Sequence, residues 1–275
     1  MKFIHITDTH LVPRGEQLHG LNPCERLDAC VDDINAHHPD ADFCVITGDL
    51  ADKGQPQAYR DLKGCLDRLR VPVHLLVGNH DDRADLLEVF PNVPIDDNGF
   101  VQTVLDTAAG AFVLLDTVER GKGWGSFCEK RAAWLDQQLK AADGRPVYLF
   151  MHHPPFDVGL PSLDRLGLGA DGQRMAEVLA PYDTVRHLFF GHVHRPITGS
   201  WRGIPYSTMY GTNHQVLFDL QEPEVIVKTH EPPAYAVVFL APDQTTVHFH
   251  DYLDRTGQPR RPASEARPDW RPPAP

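Results

Sequence analysis

The chain has 275 residues, which is enough for one large α/β domain with a substantial core, and its composition is ordinary for a globular protein. Its formal net charge of −12 counts against a broad surface for nucleic acid or anionic membrane, because such surfaces depend on clustered Lys and Arg. No stretch approaches the roughly 18 consecutive apolar residues of a membrane span.

The five cysteines are scattered, odd in number and without a C-x-x-C pair, so they form a poor disulfide framework. We expect them to be reduced and mostly buried. The N-terminus opens directly into an apolar strand and shows neither a basic segment nor a cleavage site of a signal peptide. These features predict a cytoplasmic protein without membrane association.

Strands and helices alternate in the first part of the chain. Apolar strands are predicted at 2–6, 43–46 and 73–77. Helices are predicted between them, one begun by Asn22 and Pro23 and closed near Pro39, the other from about Pro56 to Leu69. Three strands alternating with helices in roughly 80 residues indicate parallel strands with right-handed crossovers.

The pattern changes after residue 100, where two segments at 101–105 and 112–115 predict an antiparallel hairpin. Further strands are predicted at 147–151, 187–190 and 204–209, helices at about 129–140 and 173–179, and a second hairpin at 235–240 and 245–252. The segment 256–275 is rich in Pro and Arg and nearly free of aliphatic residues, which predicts a disordered tail.

Potential metal ligands follow five of the predicted strands, at the ends where open α/β sheets bind ligands. These residues are Asp8, His10, Asp49, Asn79, His152, His192 and His194. Oxygen and imidazole ligands without thiolate suit Zn, Mn, Fe or Co. Seven ligands exceed what one tetrahedral ion needs and suit two ions that share a bridging carboxylate. Two metals about 3.5–4 Å apart favour in-line attack on phosphorus, so phosphoester hydrolysis is the favoured chemistry.

Five ordered sequence blocks resemble those of the calcineurin-like metallophosphoesterases, and more narrowly the bacterial branch of class III cyclic nucleotide phosphodiesterases and glycerophosphodiesterases. The blocks are Asp8-x-His10, Gly48-Asp49-x-x-Asp52, Gly78-Asn79-His80-Asp81, His152-His153-Pro154-Pro155 and Gly191-His192-x-His194. The resemblance covers roughly residues 1 to 215, without a departure at any ligand position.

The resemblance implies an α/β fold with two packed mixed β-sheets flanked by helices. We expect residues 1–220 to form the catalytic domain, residues 221–255 to contribute strands that complete the sandwich or an oligomer contact, and residues 256–275 to form the tail.

The resemblance also implies the role of each ligand. Asp8, His10 and His194 bind one divalent ion, Asn79, His152 and His192 bind the other, and Asp49 bridges the two. His80 is implied to assist at the phosphate, by stabilising negative charge or by protonating a leaving alkoxide. His214, in Gly211-Thr212-Asn213-His214-Gln215, matches a further catalytic histidine of the narrower branch.

Other polar residues have ordinary structural explanations. Asp52, Asp81 and Asp82 are candidates for helix caps, and Asp81 equally for orienting His80 or a ligand. Packing or a hydrogen bond is favoured for His153, and core or surface roles for His5, His74 and His187. The pair His37-His38 is explained by the helix dipole, and His248 and His250 by exposure rather than metal binding.

The implied activity is hydrolysis of small phosphodiesters, either 3′,5′-cyclic nucleotides or glycerophosphodiesters, by in-line attack of a metal-bound hydroxide. Trp124, Phe127 and Phe156 lie in loops that are able to contact a substrate, although loop packing is favoured for each. A phosphomonoesterase, a nuclease and a noncatalytic metal-binding scaffold are the alternatives. No extended nucleic acid is expected as a partner, and a homo-oligomer remains open.

Overall fold

Two mixed β-sheets pack face to face in the computed structural model, which describes residues 1–253. The strands are β1 (Lys2–Ile6), β2 (Cys44–Thr47), β3 (Val73–Leu76), β4 (Thr103–Thr107), β5 (Gly110–Leu114), β6 (Val147–Phe150), β7 (Val185–Phe189), β8 (Ile197–Trp201), β9 (Ile204–Thr208), β10 (Gln215–Val216), β11 (Lys228–Thr229), β12 (Tyr235–Ala241) and β13 (Gln244–His250). The helices are α1 (Pro23–His37), α2 (Pro56–Leu66), α3 (Arg83–Val89), α4 (Glu129–Ala141), α5 (Pro161–Asp164) and α6 (Asp171–Leu179).

The strand order defines the two sheets. The first sheet runs β13-β12-β1-β2-β3 and the second β4-β5-β6-β7-β9-β8, while β10 and β11 form a separate two-stranded ribbon. The strands β1, β2 and β3 are parallel, as are β5, β6 and β7, and both predicted hairpins pair in antiparallel fashion. The parallel order predicted for the first three strands is therefore confirmed.

Aromatic side chains fill the space between the sheets. Phe3 of the first sheet contacts Phe112 and Phe189 of the second, with ring centroids 5.4 and 5.6 Å apart in edge-to-face orientation. On the outer faces, the apolar side chains of α1 and α2 pack on the first sheet and those of α4 and α6 on the second. The predicted fold, two packed mixed sheets flanked by helices, is confirmed.

Sequence patterns missed several short elements. The helix α3 has only one buried residue, Leu86, so it lacks a helical apolar stripe. The edge strand β8 is mostly exposed and carries Gly and Ser in its interior, which weakens any alternating pattern. The predicted tail, residues 256–275, lies outside the described residues. Among residues 1–253, no helix combines the length and apolar character that a membrane span requires.

Candidate metal centre

The chain turns sharply at the ends of the strands that carry the predicted ligands. Five ligands adopt positive φ angles, which non-glycine residues rarely do and which cost about 1–3 kcal/mol each. They are Asp8 at 53°, His10 at 44°, Asp49 at 49°, His192 at 70° and His194 at 49°. This repeated strain points the side chains into one place, and such strain is concentrated at functional sites.

Two glycines of the motifs are required because the ligand loops touch. A Cβ atom on Gly78 would lie 2.2 Å from Asp49 Oδ1, and one on Gly191 would lie 1.9 Å from Thr7 Oγ1. Neither contact is possible for a real side chain, so these positions admit only glycine without a shift of the backbone. The glycines bring the loops after β1, β2, β3 and β7 into direct contact.

One group of donor atoms comprises Asp8, His10, Asp49 and His194, all of them buried. The Nε2 atoms of His10 and His194 are 3.1 Å apart. His10 Nε2 lies 3.4 Å from Asp49 Oδ2, and His194 Nε2 lies 3.4 Å from Asp8 Oδ1. These atoms enclose a space in which each of them could reach a single cation.

A second group surrounds Asn79 Oδ1, which lies 3.2 Å from His152 Nε2 and 3.0 Å from His192 Nδ1. His152 Nε2 is also 3.4 Å from Asp49 Oδ2. The same Asp49 oxygen therefore faces both groups, at 3.4 Å from an imidazole nitrogen of each. The other oxygen, Oδ1, accepts a hydrogen bond from the His80 amide at 2.9 Å, which fixes the carboxylate in this orientation.

Hydrogen bonds on the outer side fix how the histidines are protonated. The Nδ1–H groups of His152 and His194 donate to the carbonyl oxygens of Thr47 and His214, each at 2.8 Å. His10 Nδ1 donates to Asp52 Oδ1 at 3.2 Å. Each ring thus turns its Nε2 inward, the usual arrangement when an outer partner orients a metal-binding imidazole.

The donor atoms that face the interior of the first group cannot hydrogen bond to one another, and a bound cation would satisfy them. Burial, together with nearby imidazoles, lowers the pKa of His194, and burial lowers that of His10, so both rings are neutral. Their two Nε2 lone pairs face each other at 3.1 Å, where neither has a proton to give. Carboxylates and a carbonyl-type oxygen complete the set, and this donor chemistry suits Mn, Fe, Zn or Co. The residues could therefore hold metal ions.

Carboxylates in the centre respond to burial and to their neighbours. Burial raises the pKa of Asp8 to about 7, with the charge of Asp49 adding to the effect. Burial alone would raise the pKa of Asp49, but His152, His80 and His10 overcome it and lower that pKa well below its usual range. Asp49 is thus an anion that attracts positive charge from both sides.

His80 stands at the open side of the centre. Its Nδ1–H donates to the Asp52 carbonyl at 2.6 Å, and its ring lies 4.7 Å from that of His10. The side chain is 39% exposed, so a bound molecule can reach it. Burial lowers the pKa of His80, but the charge of Asp49 and the hydrogen bond to the Asp52 carbonyl outweigh burial, so the pKa is raised. A protonated His80 can donate a hydrogen bond to an anion there.

His214 lies beside the first donor group, with its ring 4.8 Å from those of His10 and His194. Asn213 Nδ2 approaches His214 Nδ1 at 3.3 Å, which places the ring proton on Nε2. That Nε2 is buried and has no hydrogen-bond partner among the described residues. Burial, with His10 and Lys228 nearby, lowers the pKa of His214, so the ring is neutral.

The aspartates beyond the ligands have different roles. Asp82 caps α3, accepting hydrogen bonds from the Ala84 and Asp85 amides, so the cap prediction is confirmed for this residue. It is wrong for Asp81, which accepts from the Leu50, Ala51 and Gly78 amides and from the Tyr59 hydroxyl. It is also wrong for Asp52, which contacts His10 instead. Asp81 thus ties together the loops after β2 and β3.

The other histidines have the packing or surface positions that the sequence favoured, although His153 also belongs to a group of possible donor atoms with His152 and His192. His153 is buried, and its Nδ1 is hydrogen bonded to Thr117 Oγ1 at 2.9 Å, while its Nε2 has no partner among residues 1–253. His5 and His187 are buried between the sheets, and His74 is half-buried against Phe43. His248 and His250 are exposed and belong to none of the donor groups in the described chain.

Loop packing, which the sequence favoured for all three loop aromatics, holds for two of them. Phe127 is fully buried, and Phe156 packs against Phe190, Trp201 and Tyr206. Trp124 is exposed and stacks under Lys122, 4.9 Å from the ammonium to the ring centroid. Loop packing therefore explains Phe127 and Phe156, and only Trp124 remains accessible to a ligand.

Two residues near the centre carried no sequence signal. His19 lies between β1 and α1, and its ring contacts that of His214 with centroids 4.6 Å apart. Lys228 belongs to β11, beyond the resemblance to known motifs, and yet its charge acts on Asp49, Asp8 and Asp52. Neither position follows from local periodicity, because His19 lies outside the regular elements and Lys228 is placed by the pairing of β11 with β10.

Taken together, an αββα sandwich and a buried centre of imidazoles and carboxylates at its strand ends define a metal-dependent phosphoesterase class. The model of the calcineurin-like phosphoesterase family matches residues 1–196, well over half of the chain. The chain belongs to that family and is a hydrolase of phosphate esters.

Two relatives span nearly the whole chain. A probable cyclic nucleotide phosphodiesterase of Rhodopseudomonas palustris is 46% identical over 256 residues, covering 92% of this chain and 93% of that protein. A probable glycerophosphodiester phosphodiesterase of Arcobacter nitrofigilis is 29% identical over 257 residues, covering 93% and 94%. A dimetal phosphatase of Danio rerio shares the fold, with a TM-score of 0.69 at 17% identity and coverage of 92% and 96%.

Proposed function

We propose that this protein hydrolyses small phosphodiesters at a pair of divalent metal ions, with 3′,5′-cyclic nucleotides and glycerophosphodiesters as its substrate classes. The observation that carries the proposal is the position of Asp49 Oδ2, 3.4 Å from His10 Nε2 and 3.4 Å from His152 Nε2. A carboxylate oxygen shared by two donor groups is suited to bridging two ions. The names of the two relatives supply the substrate classes.

Each ligand has one place in this proposal. Asp8, His10 and His194 would hold one ion, Asn79, His152 and His192 would hold the other, and Asp49 would serve both. When bound, two such ions neutralise charge on a phosphate and supply a nucleophile at neutral pH. His192 and His194 are two residues apart in the chain but would serve different ions, because His192 Nδ1 lies 3.0 Å from Asn79 Oδ1 and His194 Nε2 lies 3.4 Å from Asp8 Oδ1.

His80 and His214 contribute proton donors from the chain itself. His80 has its Nδ1–H committed to the Asp52 carbonyl, which leaves Nε2 free toward the open side. Protonated there, it would stabilise the negative charge of the phosphate or protonate the leaving alkoxide. His214 would offer its unpartnered Nε2–H as a second, neutral donor.

The alternatives predict different results. A nuclease needs an extended basic surface, which a net charge of −12 does not favour. A noncatalytic scaffold would not need the free donor of His214 beside the donor groups. A phosphomonoesterase shares the same centre, so only substrate preference separates it from a phosphodiesterase.

A substrate panel after metal reconstitution tests the proposal. We expect turnover of bis(4-nitrophenyl) phosphate to exceed that of 4-nitrophenyl phosphate, and at least one of cyclic AMP, glycerophosphocholine and glycerophosphoethanolamine to be hydrolysed. A clear preference for the monoester would replace the proposal with a phosphomonoesterase. A preparation that binds metal and hydrolyses none of these compounds would refute the enzyme activity on this class.

The remaining expectations stay predictions. We propose residues 1–220 as the catalytic part and a cytoplasmic location, which is supported by five free cysteines. The homo-oligomer is supported by exposed apolar side chains in the segment 217–227, such as Phe218 at 61% and Val225 at 57% exposure. Measuring the molecular mass of the protein in solution tests whether it forms a homo-oligomer.

A further inference from the structure

The ribbon of β10 and β11 places a charged residue, Lys228, near the candidate metal centre. β10 begins directly after His214, and β11 pairs with it in antiparallel register, with Val216 opposite Lys228. Val216 is buried, whereas Lys228 is exposed. The ribbon thus places a lysine near the candidate metal centre. None of the five sequence motifs contains a lysine.

Contacts on both flanks hold β11 in this position. His230 Nε2 is hydrogen bonded to the carbonyl oxygen of His19 at 2.7 Å, and the His19 ring in turn contacts His214. On the other flank, Glu231 pairs with Arg195, the residue that follows His194, at 2.5 Å. Both loops that border the metal centre are therefore connected to the residues beside Lys228.

The ammonium group of Lys228 is without a partner of its own. It makes no hydrogen bond and no ion pair with any residue from 1 to 253, although Asp49, Asp8 and Asp52 are close enough for their charges to act on it. Conversely, its charge contributes to lowering the pKa of His192, His194 and His214. A cation near the donor groups that pairs with no carboxylate among residues 1–253 is available to an anion bound there.

We propose that Lys228 is a substrate-binding residue, which donates a hydrogen bond from its ammonium group to an oxygen of the bound phosphodiester or of an anion in its place. The positive charge of an unpaired lysine repels metal ions bound nearby. An anionic substrate bound between the lysine and the ions offsets that repulsion. In a chain of net charge −12, this local positive charge would also help to draw an anion toward the centre. The inference rests on the proposed function and extends it to the C-terminal region.

The test compares three variants of the full-length protein after Mn²⁺ reconstitution. Lys228→Met removes the charge and keeps the length, Lys228→Arg keeps the charge, and Lys130→Met is a matched control on the exposed first turn of α4. The measurements are metal content, KM and kcat for bis(4-nitrophenyl) phosphate, and the Kd of inorganic phosphate by titration calorimetry.

We expect Lys228→Met to raise KM and the phosphate Kd about tenfold, the value of one hydrogen bond to a charged group at a solvent-exposed position. Its metal content should equal that of the wild type, Lys228→Arg should recover most of the loss, and Lys130→Met should change nothing. Unchanged KM and Kd in Lys228→Met would overturn the assignment, as would a loss of metal, which would give Lys228 a structural role.

Failure of the proposed function gives a different pattern. If the wild type hydrolyses no phosphodiester but binds phosphate about tenfold more tightly than Lys228→Met, the anion site stands and the activity is wrong. If the wild type is active and Lys228→Met matches it in both KM and Kd, the activity stands and the Lys228 assignment is wrong.

Discussion

Two sets of buried histidines within residues 1–253 differ in their surroundings, and one of the two has the features of a binding site. His5 and His187 are buried between the sheets, each with Nε2 paired to a hydroxyl, of Thr47 and Ser207 respectively, at 2.9 Å. In the candidate metal centre, by contrast, the neutral imidazoles of His10 and His194 turn their Nε2 lone pairs toward one another and toward carboxylates. The difference shows that burial alone does not mark a histidine as functional, whereas converging acceptors without a shared proton do.

The two groups also differ in backbone. His5 and His187 lie within the regular strands β1 and β7, where the chain is unstrained. Five of the seven potential ligands in the candidate centre, by contrast, occupy positive φ angles just beyond strand ends. The fold therefore stabilises the first pair through ordinary packing, while the second group is held in place at the expense of local strain.

The largest effect should come from Asp49→Asn. Asparagine tolerates the left-handed backbone at this position and can keep the contact with the His80 amide, so the fold should survive. Loss of the bridging charge should reduce kcat/KM by about 10³-fold or more and lower the bound metal below two ions per chain. Asp67→Asn, at an exposed residue after α2, is the control, and a fully active Asp49→Asn would break the comparison.

His80→Ala should lower activity less than Asp49→Asn does, and it should do so without loss of metal. His80 contacts the centre through its ring and backbone but belongs to neither proposed set of ligands, so metal content should be unchanged while kcat falls about 10²-fold. Elemental analysis and steady-state kinetics measure both, with the exposed His37→Ala as the control. Metal loss in His80→Ala would show that the ring is a ligand.

Asp52→Ala tests the outer contact that orients His10. Without the 3.2 Å hydrogen bond to Nδ1, the His10 ring is free to change its orientation, and metal affinity should fall about 10- to 100-fold. Titration of the metal-free protein with Mn²⁺ measures this, again against Asp67→Asn. Equal affinities would mean that packing alone orients His10.

The smallest effect concerns the histidines between the sheets. Burial lowers the pKa of His5 to about 3 and that of His187 to about 4, from an unfolded value near 6.5. Below pH 6.5 these two histidines are therefore protonated in the unfolded chain but still neutral in the folded protein. The free energy of unfolding is accordingly retained above pH 6.5 and decreases as the pH falls from there toward 3 to 4.

Denaturant unfolding of the metal-free protein between pH 7.5 and 4.5 measures that loss. His5→Gln should reduce the slope by up to about 1.4 kcal/mol per pH unit, and the reconstituted variant should keep its metal. Parallel stability curves for the two proteins would show that His5 accepts a proton in the folded state.

The sequence predicted those parts of the molecule that depend on local pattern. Runs such as Lys2–Ile6, followed at once by ligand residues, were sufficient to place the strands and the seven potential ligands. The helix α3 was missed because its single buried residue leaves no stripe, although Asp82 was recognised as a possible cap.

The rest of the site depends on tertiary structure. Asp81 ties two loops together through amides that no spacing connects to it. Lys228 reaches the centre only because β11 pairs with β10 across the segment 217–227. The protonation of His10 and His194 likewise follows from outer partners, Asp52 and a carbonyl, which the chain brings together from distant positions.

The central claim is that His192 and His194 serve two different ions bridged by Asp49. A crystal structure of the Mn²⁺-reconstituted protein, with anomalous scattering to locate the metal, tests it most directly. We predict two ions about 3.5–4 Å apart, with Asp49 Oδ2 between them, His194 on one ion and His192 on the other. A single ion bound by both imidazoles, or ions placed away from Asp49, would contradict the account.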